Sequence, residues 1–324
     1  MRHFITGTAC LLSAAACKST PAKKDFLTVA PVSDSSDKMA TAPFTWHDNR
    51  LLVDVFLNGK GPFVMIFDVT GVNSLTPEVQ RILELRSQGP EVNMDGGKPA
   101  VTNSVHLRSV QVGDFKLSEQ KFQVQNLNLI RKTFRFAHLD GIIGHELLQQ
   151  TKVRINFDRQ VIEWINPRAP MMTEALALKF ELVDQAPVIQ GKINGQPARI
   201  LIDTGDRSNL TLFHKFARTS KIEELFTARA PMVTGMGLGG PIPGKIASVQ
   251  SVELGTTEVK DVLARLPLTK RGYFFASDIS ASVGMGVLKG FNMEFDVAHL
   301  SLGLQRRKNY SEESTFVPVP SRLR

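Results

Sequence analysis

The sequence predicts a mainly β protein built from two pseudo-symmetric, barrel-like lobes with a cleft between them. Three observations carry this. Residues 62–76, PFVMIFDVTGVNSLT, and residues 197–211, PARILIDTGDRSNLT, read as one segment written twice without a gap. Each copy lies in a half where apolar and polar residues alternate, as half-buried strands require. Helical patterns are few and short, so strands must supply both cores.

From the amino terminus, MRHF gives a basic start, ITGTACLLSAAA a short apolar stretch, and Cys17 follows three alanines. Residues 1–17 therefore read as an export signal, with Cys17 as the site of lipidation. Lipoprotein signals usually place Leu three residues before that cysteine, where Ala14 stands here, and an ordinary secretory signal cut nearby is the alternative. Both readings export the protein to the periplasm or cell envelope, the first with a lipid anchor in a membrane. Residues 18–43 are rich in Ser, Thr, Lys, Asp, Ala and Pro and read as a flexible linker.

The first lobe is expected over 44–166 and the second over 167–305, divided where NPRAPMM breaks the strand pattern. Each opens on a hairpin, LLVDVFLNGKGPFVMIFD and APVIQGKINGQPARILID, because Asn-Gly readily adopts the positive φ angles of a two-residue turn. Alternating strands follow in VHLRSVQVGDFKLSEQKFQV and KIASVQSVELGTTEVKDVLARL. Short helices are expected near 77–87, 145–151 and 213–226. Ile142-Ile143-Gly144 is answered by Ser282-Val283-Gly284, at 76 residues beyond Asp68 and 81 beyond Asp203 respectively, so one plan covers both halves. A basic tail, 306–324, closes the chain.

Composition narrows the chemistry. Both cysteines, Cys10 and Cys17, lie in the export segment, so the folded body has neither a disulfide framework nor a thiolate zinc site. The body has no apolar run of about 18 residues to span a membrane. The net charge of +8 permits attraction to anionic envelope polymers, but the basic residues are scattered and nucleic acid is not an expected partner. The cluster Arg306-Arg307-Lys308 reads as a solvated end. No cofactor is expected.

The repeat puts Asp68 and Asp203 at equivalent points of two halves, each at the end of an apolar strand. Two carboxylates across such a seam share one proton: the ionised one takes a proton from water, and the protonated one hydrogen-bonds a carbonyl oxygen. Gly205 is expected to permit the close turn that aims Asp203.

These residues carry a resemblance. Asp203-Thr204-Gly205 with RSNLTLF, the glycine-rich TGMGLGGPIPG, and the closing segments DGIIGHELLQQTKVRINFD and SVGMGVLKGFNMEFD make the chain resemble the two-lobed bacterial aspartyl proteases of retropepsin-like, acid protease fold, over about residues 44–305. The resemblance implies Asp68 and Asp203 as the catalytic pair, Thr204 as the hydroxyl bracing the two aspartate loops, and the hairpin with Gly237, Gly239 and Gly240 as a substrate flap. It implies polypeptide as the substrate. Relatives often carry a carboxy-terminal PDZ domain, which is not expected in this sequence.

The first half departs from the pattern, since Val69 aligns with Thr204 and Thr70 with Gly205. Valine has no hydroxyl to reach across, and a β-branched residue resists the turn unless the loop shifts by one so that Thr70 and Gly71 recover it. Other motifs carry less. Gly235 to Gly240 lacks the strand and helix of a dinucleotide loop. His138 and His145 lack a third ligand, and position 149 is Gln149 where a zinc-peptidase helix needs histidine, so no metal is expected. Ser118 and Lys121 have penicillin-binding spacing without companion motifs and read as surface. Asp140 reads as a turn residue, and Tyr273-Phe274-Phe275 as core residues that could also line a cleft.

Two functions are compatible with these residues. One is an aspartic-type endopeptidase of the cell envelope. The other is a bilobed peptide- or cell-wall-binding lipoprotein in which Asp-Val-Thr-Gly has disabled the water site. A peptidase restricted to itself or to one partner is a third possibility.

Overall fold

A computed structural model describes residues 40–94, 99–149, 151–270, 272–308, 310 and 319. The export segment, Cys17 and most of the expected linker lie outside the described residues. The first half contains β1 (Ala40–His47), β2 (Arg50–Leu57), β3 (Lys60–Phe67), β4 (Ser74–Leu75), α1 (Pro77–Ile82), β5 (Pro90–Met94), β6 (Pro99–Val112), β7 (Phe115–Val124), α2 (Asn128–Thr133), β8 (Gly141–Ile143), β9 (Lys152–Asn156) and β10 (Val161–Ile165). The second repeats the order with β11 (Leu176–Val183), β12 (Ala186–Ile193), β13 (Gln196–Ile202), β14 (Leu210–Leu212), α3 (His214–Thr219), β15 (Met232–Gly237), β16 (Gly240–Leu254), β17 (Thr257–Pro267), α4 (Tyr273–Ala276), β18 (Ala281–Val283), α5 (Met285–Leu288), β19 (Phe291–Asp296) and β20 (Ser301–Arg306). The mainly β, two-lobed architecture expected from the sequence is the one observed.

Pairing shows the duplication strand by strand. β3 runs parallel to β8 with Phe67 opposite Ile143, and β13 runs parallel to β18 with Ile202 opposite Val283. β4 lies between β7 and β8 as β14 lies between β17 and β18. The Asn-Gly turns form as expected: Asn58 and Gly59 have φ of 50° and 77°, Asn194 and Gly195 of 49° and 74°. Asp140 closes one strand edge by accepting the Val64 N–H at 2.9 Å, and Ser280 does the same for Arg199 at 3.0 Å. Asp140, expected as a turn residue, instead extends the β3–β8 pairing, donating its N–H to Val64 O at 2.8 Å.

Behind the lobes, a sheet in the order β1-β10-β9-β19-β20-β11 joins them, with β9 and β19 paired at its centre. Across that seam Arg154 Nη2 meets Glu294 Oε2 at 2.7 Å and Lys152 Nζ meets Asp296 Oδ2 at 3.1 Å. A large apolar core runs under both lobes, and two smaller clusters flank the space between them.

Several boundaries differ from the sequence reading. β1 begins at Ala40, within the expected linker, because Ala40 to Pro43 pair with Trp164 to Val161 of β10 and bury Ala42. Arg306 belongs to β20, and Arg307 donates to Asp158 Oδ1 at 2.8 Å, so the basic cluster is not a free end. The helix expected over 77–87 stops at Ile82, beyond which Glu84 takes φ of 54°. That expected over 145–151 is a single 3-10 turn, His145–Leu147. The 213–226 region is broken into two by Lys221 at φ 60°.

Candidate active site

Asp68 and Asp203 follow directly from β3 and β13. Each backbone N–H is fixed by the strand beside it, Asp68 N to Ile143 O at 2.9 Å and Asp203 N to Val283 O at 3.0 Å. The next two residues also correspond: the Thr70 N–H donates to Asp68 Oδ1 and the Gly205 N–H to Asp203 Oδ1, both at 2.9 Å. Beyond this point the gapless match fails. Ser74 pairs with Ile142 while Thr211 pairs with Ser282, so the second-lobe loop carries two more residues. The one-residue shift that would bring Gly71 into Gly205's place does not occur; Thr70 stands there itself.

Gly205 is needed for space. Its φ is not positive, so the backbone freedom expected of it is not the reason for glycine. A Cβ at this position would lie 2.1 Å from Asp68 Oδ2 and 2.4 Å from its Cγ. The Asp203 loop therefore packs against the Asp68 carboxylate, and only hydrogen fits between them. On the other side Thr70 turns its hydroxyl to the pair, 2.8 Å from Asp68 Oδ1 and 3.0 Å from Asp203 Oδ1. Thr204 Oγ1 accepts the Val69 N–H at 2.8 Å and lies 3.4 Å from Phe67 O, to which it donates. This brace runs from the second lobe to the first only, because Val69, fully buried, has no hydroxyl to return it.

Both aspartates are half-buried at the cleft surface, and loss of water around the charged form raises both pKa values. For Asp203, burial, then the charge of Asp68, then that of Asp206 push the carboxyl up to about 7. For Asp68, burial is opposed by the Thr70 and Gly71 donors and by the Arg50 charge. Side by side, the two carboxyls disfavour a second charge, and the pair shares one proton. Asp203 Oδ1 accepts from the Gly205 and Asp206 N–H groups at 2.9 Å, and its Oδ2 only from Ser282 Oγ at 3.3 Å.

Charged residues that the sequence reading did not single out hold this loop pair. Asp48, in the β1–β2 turn of the first lobe, receives Arg207 of the second lobe through Nε at 2.8 Å and Nη2 at 2.5 Å, and pairs with Arg50 as well. Both guanidinium groups stack on Phe134, at 4.6 Å and 4.8 Å. Asn49 Nδ2 donates to Arg207 O at 2.9 Å. Within the second lobe, Asp206 pairs with Arg265 at 3.2 Å and accepts from Thr211 and Ser208, which holds its pKa down against burial. HDNR and DTGDR are the only sequence signals, and neither specifies a partner 159 residues away.

The aspartates line a cleft of about 540 Å³ whose walls include Ile66, Ile130 and Ile142 on one side and Leu201, Tyr273 and Phe274 on the other. Tyr273 and Phe274 both pack on Phe213 and face the cleft, so they serve core and wall together. Of the expected flap residues, Gly237 lines the cleft with Gly235, Met236 and Leu238, while Gly239 forms the β15–β16 turn with Leu238, and Gly240 opens β16 opposite Gly237. This hairpin reaches the opposite lobe: β15 lies against α2, and Met236 and Leu238 pack on the first-lobe apolar cluster. Among the described residues no group of three or more His, Cys, Asp or Glu converges to hold a metal ion.

Residues 189–267 match a family model described as aspartyl protease, a segment that contains Asp203, Thr204, Gly205 and the β15–β16 hairpin. The structure is similar to a retropepsin-like aspartic protease from Rickettsia conorii, at 19% identity over 40% of this chain and 90% of that one, with a TM-score of 0.32. It is also similar to Basic 7S globulin from soybean, at 10% identity over 83% of this chain and 95% of that one, with a TM-score of 0.47. No curated protein sequence matches the chain.

Proposed function

We propose that the chain is an aspartic-type endopeptidase that hydrolyses peptide bonds with a water held between Asp68 and Asp203. The observation that carries this reading is the pair itself: two carboxylates at equivalent strand ends facing the cleft, tied to one Thr70 hydroxyl, with the Asp203 carboxyl pushed up to about 7 by desolvation and by the Asp68 charge. Ionised Asp68 takes a proton from water as the oxygen attacks the peptide carbonyl carbon, and protonated Asp203 donates to the carbonyl oxygen. The tetrahedral intermediate collapses when the amine accepts a proton from the pair and the C–N bond breaks. The family-model match over 189–267 supports this chemistry for the second lobe.

The apolar walls suit extended polypeptide with hydrophobic side chains, and the glycine-rich hairpin of β15 and β16 would close over it. On this reading the enzyme is exported to the cell envelope and lipid-anchored, a proposal that rests on the sequence of residues 1–17 with Cys17. Incubation of the purified chain with an unfolded polypeptide tests the activity, and Asp203→Asn should abolish cleavage.

A second reading, a peptide- or cell-wall-binding lipoprotein without hydrolysis, is favoured by one observation. Thr70 puts a side chain beside the carboxylates at the position where the other loop has Gly205. A natural chain that binds peptide but does not cleave it, and that gains cleavage with Val69→Thr and Thr70→Gly, would support the binder.

A further inference from the structure

The hairpin of β15 and β16 is anchored at two points. Near its tip, Met236 and Leu238 pack on the first-lobe apolar cluster. Within its own lobe it is held by Arg265 of β17, a side chain only 7% exposed whose guanidinium reaches three elements. Nε donates to Thr211 Oγ1 of β14 at 2.6 Å, Nη2 to Asp206 Oδ2 at 3.2 Å, and Nη1 to the Thr234 carbonyl of β15 at 3.2 Å. The β15–β16 register shifts between Val233 and Gly235, a bulge that leaves Thr234 out of the strand pairing and lets its carbonyl take the guanidinium instead. Glycine follows because a Cβ at Gly235 would run into Arg265 Nη1. Asp206 in turn donates its N–H to Asp203 Oδ1 at 2.9 Å. A chain of contacts thus runs from the hairpin through Arg265 and Asp206 to Asp203. The first lobe is built differently: the residue paired with Ser74 as Arg265 is with Thr211 is Gln123, a neutral amide that accepts from Thr102 and Gln125.

We infer that Arg265 is a positioning residue that pins the β15–β16 hairpin to the Asp203 loop, so that one guanidinium sets both the cover of the cleft and the placement of an aspartate. The inference rests on reading the cleft as the peptide site. A guanidinium suits the task, because its donors point in fixed directions and hold a carboxylate, a hydroxyl and a carbonyl together. A lysine ammonium is a point charge on a flexible stem and would keep the carboxylate while giving up the carbonyl. Arg265 and Phe274 both line the cleft, with Arg265 Cζ 5.6 Å from the Phe274 ring centroid, so the pin stands in the wall that a bound peptide would touch.

The test is amide hydrogen exchange, read by mass spectrometry on the full natural chain and on its Arg265→Lys and Gly235→Ala variants. Arg265→Lys keeps a positive charge beside Asp206, and Gly235→Ala attacks the same contact from the hairpin without removing any buried charge, so the two reach one joint from opposite sides. In both, exchange over residues 232–240 should become about tenfold faster, as loss of one charged hydrogen bond implies, while β12 and β13 exchange as in the natural chain. Unchanged exchange over 232–240, or equal acceleration in β12 and β13, which a merely structural ion pair would give, would overturn the inference. Exchange needs no peptidase activity, so this result stands or falls apart from the peptidase reading. With cleavage of an unfolded polypeptide as the second readout, Arg265→Lys should raise KM by a larger factor than it lowers kcat, and a fall in kcat at unchanged KM would count against the pin.

Discussion

Thr70 Oγ1 lies within hydrogen-bonding distance of Asp68 Oδ1 and Asp203 Oδ1, at 2.8 Å and 3.0 Å. A hydroxyl has one proton to donate, so it serves one carboxylate at a time and stabilises the ionised form of whichever it serves. In the other loop the corresponding place is taken by Gly205, which leaves no room for a side chain. The two loops are thus equivalent in backbone and unequal in chemistry.

Thr70→Val removes the donor and keeps the shape. Because the Thr70 hydrogen bond lowers the Asp203 pKa, its loss should move the upper limb of the pH–activity profile toward alkaline pH, by about one unit. Initial cleavage rates measured from pH 4 to 9 on both chains give the shift.

Asp203 also links stability to pH. Its carboxyl ionises near the ordinary 3.8 when unfolded and at about 7 when folded, so between these values the folded chain holds the extra proton. Its stabilising contribution is complete below the unfolded pKa and is lost as pH rises through about 7. Asp203→Asn lacks the ionisation, so its stability relative to the natural chain should grow from pH 4 to 7, with a slope of at most about 1.4 kcal/mol per unit. Urea titrations at several pH values measure this. Activity should fall over the same upper range, as Asp203 loses the proton it must donate.

The one-way brace between the loops gives a third expectation. Thr204→Val leaves the buried Val69 N–H without its acceptor and should cost about 1–3 kcal/mol in urea unfolding, whereas Thr204→Ser should cost little.

A fourth concerns the ionic contact between lobes. Asp48→Ala strands the guanidinium groups of Arg50 and Arg207, whose side chains are only 8% and 5% exposed. The loss should be about 3–5 kcal/mol, larger than for an exposed pair such as Lys192 with Glu253.

Much of this was legible in the chain before folding was considered. The duplicated strand ending in aspartate fixed the positions of Asp68 and Asp203, and the Asn-Gly pairs located their hairpins, because both signals are local and period-two strands follow them. The two-residue excess in the second loop was hidden because Asn-Leu-Thr and Asn-Ser-Leu-Thr resemble each other by composition, while only the pairing of Ser74 and Thr211 with β8 and β18 reveals the offset. The reason for Gly205 was misread for a similar cause: a backbone angle is a local property, but the Asp68 carboxylate that excludes a Cβ comes from the other half. The pairing of Asp48 with Arg207 could not be read at all, since it is set by the way the lobes close.

The most direct test of the central claim is cleavage of an unfolded polypeptide by the purified natural chain and by its Asp68→Asn and Asp203→Asn variants, followed by mass spectrometry between pH 4 and 8. The account expects peptide-bond cleavage by the natural chain, declining above about pH 7, and none by either variant. Cleavage that persists in a variant, or its absence in the natural chain across that range, would contradict it.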